Sequence, residues 1–291
     1  MPYTDEIQAK ARELLSRGQT ACVIGYEAGP RGRVRPAFIY SPDDAGRLVW
    51  NRGCTHNLTT YLCQKLRPHG HNGSKPGRVA IVVKPCDSRA INVLLAENQF
   101  SRDQVYIIGV TCDGIVEGAG FKSITEGPLQ KRCQQCSEHV PVIYDVLIGQ
   151  PAPSGKTSGE DKDLARLEAM SPVERAEFWL SQFDRCIRCY ACRQACPMCN
   201  CPTCLYERDD SLWVGAGIRV DEKRTFHLGR AYHLAGRCVG CDECERVCPM
   251  QIPIGLLNRK LAKEMQTMFG FRAGVAPVPS PITTILNGEG S

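Results

Sequence analysis

The chain opens on a helical period. Ile7, Ala11, Leu14 and Leu15 recur along one helix face, and Gly18 offers a place to stop. Strands are then predicted over Ala21–Tyr26 and Arg35–Tyr40, parted by a Gly/Pro/Arg turn, with a helix within His56–Leu66. Cys22 and Cys63 fall inside these elements and are expected in the core. Val79–Val83 and Val105–Val110 depart from alternation: both are continuous, apolar and largely β-branched, as in strands covered on both faces. A helical stretch, Ser88–Glu97, lies between them. Strand, helix and strand in that order make a βαβ unit and hence a parallel sheet, so residues 1–148 are expected to form an α/β domain.

The pattern breaks after residue 148. Residues 149–165 are rich in Pro, Gly, Ser and charge, and a linker is expected over 149–170. Ser171-Pro172-Val173-Glu174 then carries a helix start: Ser171 as N-cap, Pro172 at the first helical position and Glu174 closing a capping box. That helix should run to Asp184 and open a second domain over 171–268. The Gly/Pro-rich tail, 269–291, is expected to lie over a surface or a partner.

Composition narrows the function. A net charge of +5 is too small to argue for nucleic acid and suits docking to an acidic partner. No apolar run is long enough to span a bilayer, and the charged amphipathic N-terminus has no apolar signal region. The 18 cysteines therefore point to a reducing cytoplasm, where clustered thiols bind metal or do redox chemistry.

Eight of those thiols fall in one repeated pattern. Cys186, Cys189, Cys192 and Cys196 form C-x2-C-x2-C-x3-C followed by Pro197; Cys238, Cys241, Cys244 and Cys248 repeat it before Pro249. This is the bacterial two-cluster ferredoxin run, in which three thiolates grip one [4Fe–4S] cubane and the fourth reaches the other. The expected sets are Cys186, Cys189, Cys192 and Cys248 for one cubane, and Cys238, Cys241, Cys244 and Cys196 for the other. An α+β ferredoxin-like fold is expected around them. Zinc is the competing occupant, but its sites use pairs of C-x2-C rather than four-cysteine runs ending in Cys-Pro. His227 and His233, on a predicted helix before the second run, are expected as surface or packing residues.

Eight further cysteines carry candidate chemistry. Cys199, Cys201 and Cys204 follow the first run closely and can hold an additional cluster or zinc, with Cys54 as fourth ligand and His56 behind it; partly exposed thiols at an interface are the alternative. In the first domain, Cys86 and Cys112 each follow a buried strand, and Cys133 and Cys136 form a C-x2-C pair. Ligands of parallel sheets gather at the C-terminal ends of strands, so these four can hold a third cubane. A scatter of core cysteines beside a zinc-like pair is the bland alternative.

The same stretches carry a family resemblance. VVKPCDSRAINVLL, VYIIGVTCDGI and CQQCSEHVPVIYDVLIG resemble the beta-subunit family of coenzyme F-420 hydrogenases and dehydrogenases, formate dehydrogenase beta subunits included, over roughly residues 50 to 150. CIRCYACRQACPMC and RCVGCDECERVCP are similar to dicluster modules fused to such subunits and to the small iron–sulfur subunit of heterodisulfide reductase. The resemblance implies a cluster on Cys86, Cys112, Cys133 and Cys136. It also admits FAD, but flavin-binding members carry a Ser-Gly-Gly-type turn where this chain reads Asn51-Arg52-Gly53-Cys54. With one glycine left and no G-x-G-x-x-G elsewhere, FAD is disfavoured.

The expected function is that of an iron–sulfur subunit relaying single electrons inside a cytoplasmic, anaerobic oxidoreductase complex. Its expected partners are a hydrogenase or formate dehydrogenase and a heterodisulfide-reductase-type flavin subunit. No acid–base catalytic set is apparent. The rival is a flavin-containing subunit that itself reduces or oxidises a deazaflavin or nicotinamide coenzyme.

Overall fold

The computed structural model describes residues 2–66, 77–117, 127–150, 161–208, 210, 214–215 and 217–282. The chain divides into two compact units, Met1–Ser158 with Gly274–Val278, and Gly159–Ala273 with Pro279–Ser291. Residues 151–160 of the expected linker, and the tail after residue 282, lie outside the described residues.

The N-terminal unit is built on a five-stranded sheet, and its strands are β1 (Cys22–Ala28), β2 (Val34–Ile39), β3 (Val79–Val83), β4 (Val105–Val110) and β5 (Val146–Ile148). Their order across the sheet is β2-β1-β3-β4-β5. β1, β3, β4 and β5 run parallel, and β2 pairs antiparallel with β1 as an edge hairpin. The sheet is therefore mixed, with the expected parallel core. Every residue of β3 is buried, which accounts for its unbroken apolar run. Three helices belong to this frame: α1 (Pro2–Ser16), α2 (Thr59–Leu66) and α3 (Pro85–Ala96). Ile7, Ala11 and Leu14 of α1 are buried, and so are Cys22 and Cys63. α4 (Lys131–Gln134) is a single turn in the chain between β4 and β5.

The strand β5 was not expected from the sequence. It has only three residues and is half-covered, too short to impose a period. Its position follows from Asp145, whose carboxylate accepts from the Ile107 amide at 2.6 Å and fixes the approach of β5 to β4.

The second unit contains α5 (Lys162–Ala169), α6 (Pro172–Asp184), α7 (Ala191–Gln194), α8 (Val220–Leu234), α9 (Glu243–Arg246) and α10 (Ile254–Phe269). Among the described residues all of its regular elements are helical, where an α+β arrangement was expected. The long segment between the cysteine runs supplies α8 instead of strands. Ser171 accepts from the Glu174 amide and Glu174 returns a bond to the Ser171 amide, so the expected capping box is present. α5 occupies part of the expected linker. Asp161 caps it, and Leu164 and Leu167, one turn apart, bury against Leu256 of α10. Arg259 of α10 ties this corner together, 2.7 Å from Asp161 and 3.0 Å from Asp242.

Candidate iron–sulfur centres

The two cysteine runs fold alike. In the first, Arg188 and Tyr190 have left-handed backbones (φ 54° and 57°); in the second, Gly240 and Asp242 occupy the same places (φ 69° and 48°). These twists wrap each C-x2-C-x2-C segment into a cup. Tyr190 and Asp242 then cap the short helices α7 and α9. The Arg188 amide turns inward and donates to the Cys186 sulfur at 3.3 Å, and the Gly240 amide does the same for Cys238. Left-handed backbone is uphill for Arg, Tyr and Asp, so something in the cup must favour it.

The first cup opens on a small recess lined by Cys186, Cys189, Cys192 and Cys248, with apolar walls from Phe226, Met250, Ile252 and Ile254. The fourth thiol of that lining, Cys248, comes from the other run. The Ile252 amide donates to the Cys248 sulfur at 3.4 Å. Cys196, from the first run, lies beside Cys238 and Cys244 of the second, and the buried Asn258 amide reaches the Cys244 sulfur at 3.8 Å. Cys241 is buried in the same run.

His227 is a packing residue, one of the two expected alternatives: it is buried in the recess wall, stacked on Phe183 with ring centroids 4.7 Å apart. Among the described residues neither of its ring nitrogens has a hydrogen-bond partner. Burial, helped by Arg230 and Arg188, pushes its pKa down to about 4, so the ring is neutral. His233 is exposed, as expected.

The extra thiols divide between the units. Cys199 follows Cys196 by one turn, its amide donating to the Cys196 carbonyl at 3.1 Å, and its thiol donates to the Cys196 sulfur. That bond holds the Cys196 thiol below its ordinary pKa and drives Cys199 up. Cys201 is exposed and Cys204 half-buried. Cys54, expected with them, is fully buried in the N-terminal unit beside Cys112.

That unit holds a second collection of sulfur. Cys86 sits in the first turn of α3 and Cys112 just past β4, and the two are neighbours. Cys133 on α4 adjoins Cys112 and Cys136, and its sulfur accepts from the Ile115 amide at 3.3 Å. Burial pushes Cys112 up to about 11 and Cys54 up to about 12. Among them lies Lys84, 0% exposed, its Nζ donating to Asp87 Oδ2 at 2.9 Å, to the His56 carbonyl at 2.7 Å and to the Tyr26 hydroxyl. His56 thus contributes its backbone oxygen here. Sequence reasoning missed Lys84; the signal was a lysine closing a strand buried on both faces.

The donor sets fit iron–sulfur cubanes. They are sulfur-only, partly enclosed and fed by inward amides, and buried thiols lose their protons readily only to a metal. Among the described residues no three Cys, His, Asp or Glu side chains converge closely enough to share one ion. Ligands of a cubane stand at the corners of a cage, farther apart than ligands of a single metal.

The family model of the 4Fe-4S dicluster domain matches residues 182–252, the span of both cups. The second unit carries a 4Fe–4S dicluster domain. Beyond it, the chain is similar to the F420-dependent formate dehydrogenase subunit beta of Methanocaldococcus jannaschii, 24% identical over 86% of each chain. It is also similar to the F420-dependent formate dehydrogenase 1 subunit beta of Methanococcus maripaludis, 24% identical over 82% of each. The resemblance to beta subunits therefore extends well past the cysteine motifs. The dicluster chain is an iron–sulfur electron-transfer protein. Among its described residues no helix is long and apolar enough to cross a membrane.

Proposed function

We propose that this dicluster protein is the electron-relay subunit of a cytoplasmic, anaerobic oxidoreductase complex of the formate dehydrogenase, hydrogenase or heterodisulfide reductase type. It would take single electrons from one redox subunit and pass them to another. One cubane would be held by Cys186, Cys189, Cys192 and Cys248, and its neighbour by Cys238, Cys241, Cys244 and Cys196. A third would sit in the N-terminal domain on Cys86, Cys112, Cys133 and Cys136. The carrying observation is the recess ringed by three thiols of one run and Cys248 of the other. Crossed ligation brings two cubanes close, which suits electron hopping. When bound, the clusters supply one-electron redox chemistry. The chain's own part is to hold them, aim amide N–H groups at sulfur and exclude water, which tunes each potential.

The test is iron, acid-labile sulfide, zinc and flavin per chain on anaerobically purified protein, with EPR of the reduced state. About 12 iron with matching sulfide supports all three sites, and about 8 removes the N-terminal one, since each cubane holds four. Zinc without sulfide overturns the relay. Stoichiometric flavin would replace it with a subunit that turns over a coenzyme itself.

A further inference from the structure

The two cups share a backbone course but differ at the rim. Cys186-Ile187-Arg188-Cys189 and Cys238-Val239-Gly240-Cys241 stand at matching places in the two runs. Ile187 is 53% exposed, and its counterpart Val239 only 4%. Cys189 is the one exposed thiol of the eight in the runs, and its counterpart Cys241 is buried. Ile187, Cys189, Pro249 and Met250 all line the first recess, and Pro249 is exposed as well. An apolar rim thus surrounds a ligand sulfur at the surface.

The same rim carries a cation. Arg185 is exposed, and its guanidinium donates to the Met250 carbonyl and, at 3.0 Å, to Gln182 Oε1. Among the described residues no carboxylate pairs with it; the adjacent Asp184 faces Lys223 instead, at 3.8 Å. A single exposed isoleucine would carry no meaning. An apolar centre with charge at its edge has the anatomy of a protein–protein contact. The unpaired guanidinium calls for an acidic group across that contact.

We propose that the rim of the first cup is the docking face for an acidic redox subunit, which brings its own one-electron cofactor up to Cys189 and sets a carboxylate against Arg185. This rests on the ligand set Cys186, Cys189, Cys192 and Cys248 proposed above. Electron transfer weakens steeply with distance, so the cubane whose ligand reaches the surface is the one a partner can serve. One electron passes between the partner's cofactor and the cubane; no bond forms or breaks, and no proton moves. Docking brings Ile187 and Cys189 to the burial that Val239 and Cys241 already have.

The experiment is photo-crosslinking in the intact complex, made in cells with Ile187→benzoylphenylalanine and purified anaerobically through a tag on this chain. Met268→benzoylphenylalanine, on α10 at 69% exposure, is the control. Iron and sulfide must match wild type in each sample scored. Position 187 should join a subunit that carries iron–sulfur or flavin, through a peptide containing Asp or Glu, and position 268 should not. Arg185→Glu should weaken retention of that subunit by about tenfold or more at low salt, since like charges then face each other. Arg185→Lys should retain it. If the Ile187 variant sheds iron, the photo-crosslinker is placed at Arg185 instead. No adduct from fully loaded protein, an adduct to a second copy of this chain or to a subunit without a redox cofactor, or unchanged retention in Arg185→Glu overturns the proposal and leaves the ligand sets standing. Wild type with no cubanes overturns both.

Discussion

Lys84 Nζ lies 2.9 Å from Asp87 Oδ2, and neither side chain reaches solvent. Removing one charge strands the other in the interior. Lys84→Met should destabilise the N-terminal unit by about 3–5 kcal/mol, whereas the paired change Lys84→Met with Asp87→Leu should recover much of the loss. Urea unfolding followed by circular dichroism checks both, and a single variant as stable as wild type would show that the pair is not held as described.

Cys248 closes the first recess from the opposite run. Cys248→Ser should lower the iron content by about four per chain or leave a cluster that sheds iron on dilution. Cys22→Ala, at a buried position on β1 outside every proposed ligand set, should leave the iron count alone. Iron and sulfide assays separate the two.

Glu27 sits between Arg35 (2.8 Å) and Arg47 (2.7 Å). Burial alone would raise its pKa, but hydrogen bonds and charge from Arg47 and Arg35 outweigh that and hold it below its ordinary 4.5. The folded carboxyl thus binds a proton less readily than the unfolded one. Its contribution is complete above about pH 4.5 and fades as the pH falls through the folded value. The gap in thermal midpoint between wild type and Glu27→Gln should be widest near neutrality and close in acid. A gap independent of pH would contradict this.

Gly274 has φ +74°, and a Cβ there would drive into the Arg89 carbonyl. Asn92 Nδ2 donates to the Gly274 carbonyl at 3.0 Å, fixing this stretch of tail in the N-terminal unit. Gly274→Ala should cost about 1–2 kcal/mol for the left-handed backbone alone, with the clash added. Amide exchange across Gly274–Val278 should quicken. Gly46→Ala, where a Cβ meets nothing within 4 Å, is the matched control.

The sequence announced whatever depended on local pattern. β3 and β4 begin and end at the predicted residues because unbroken apolar runs have sharp edges. The Ser171 cap formed because its bonds span only three residues. The paired cups were legible because a cubane imposes its own spacing on the chain. What stayed hidden depends on distant neighbours. Cys54 belongs beside Cys112, a meeting set by the sheet and not by spacing. His227 and Arg230 look like solvent-facing polar residues of a weakly amphipathic helix until both cups close around it. α5 was the avoidable miss, since Asp161 as cap and the Leu164–Leu167 pair were present inside a stretch otherwise dominated by linker composition.

The left-handed turns at Arg188, Tyr190 and Asp242 have one more consequence. Residues of these types leave that conformation when nothing restrains them, so the cups hold their shape only while their contents do. Assembly of the second unit is then tied to iron supply, and oxidative loss of a cubane would loosen the chain as well as interrupt the current. A damaged relay would mark itself for destruction by exposing cleavable backbone, and would not linger as an inert subunit in its complex.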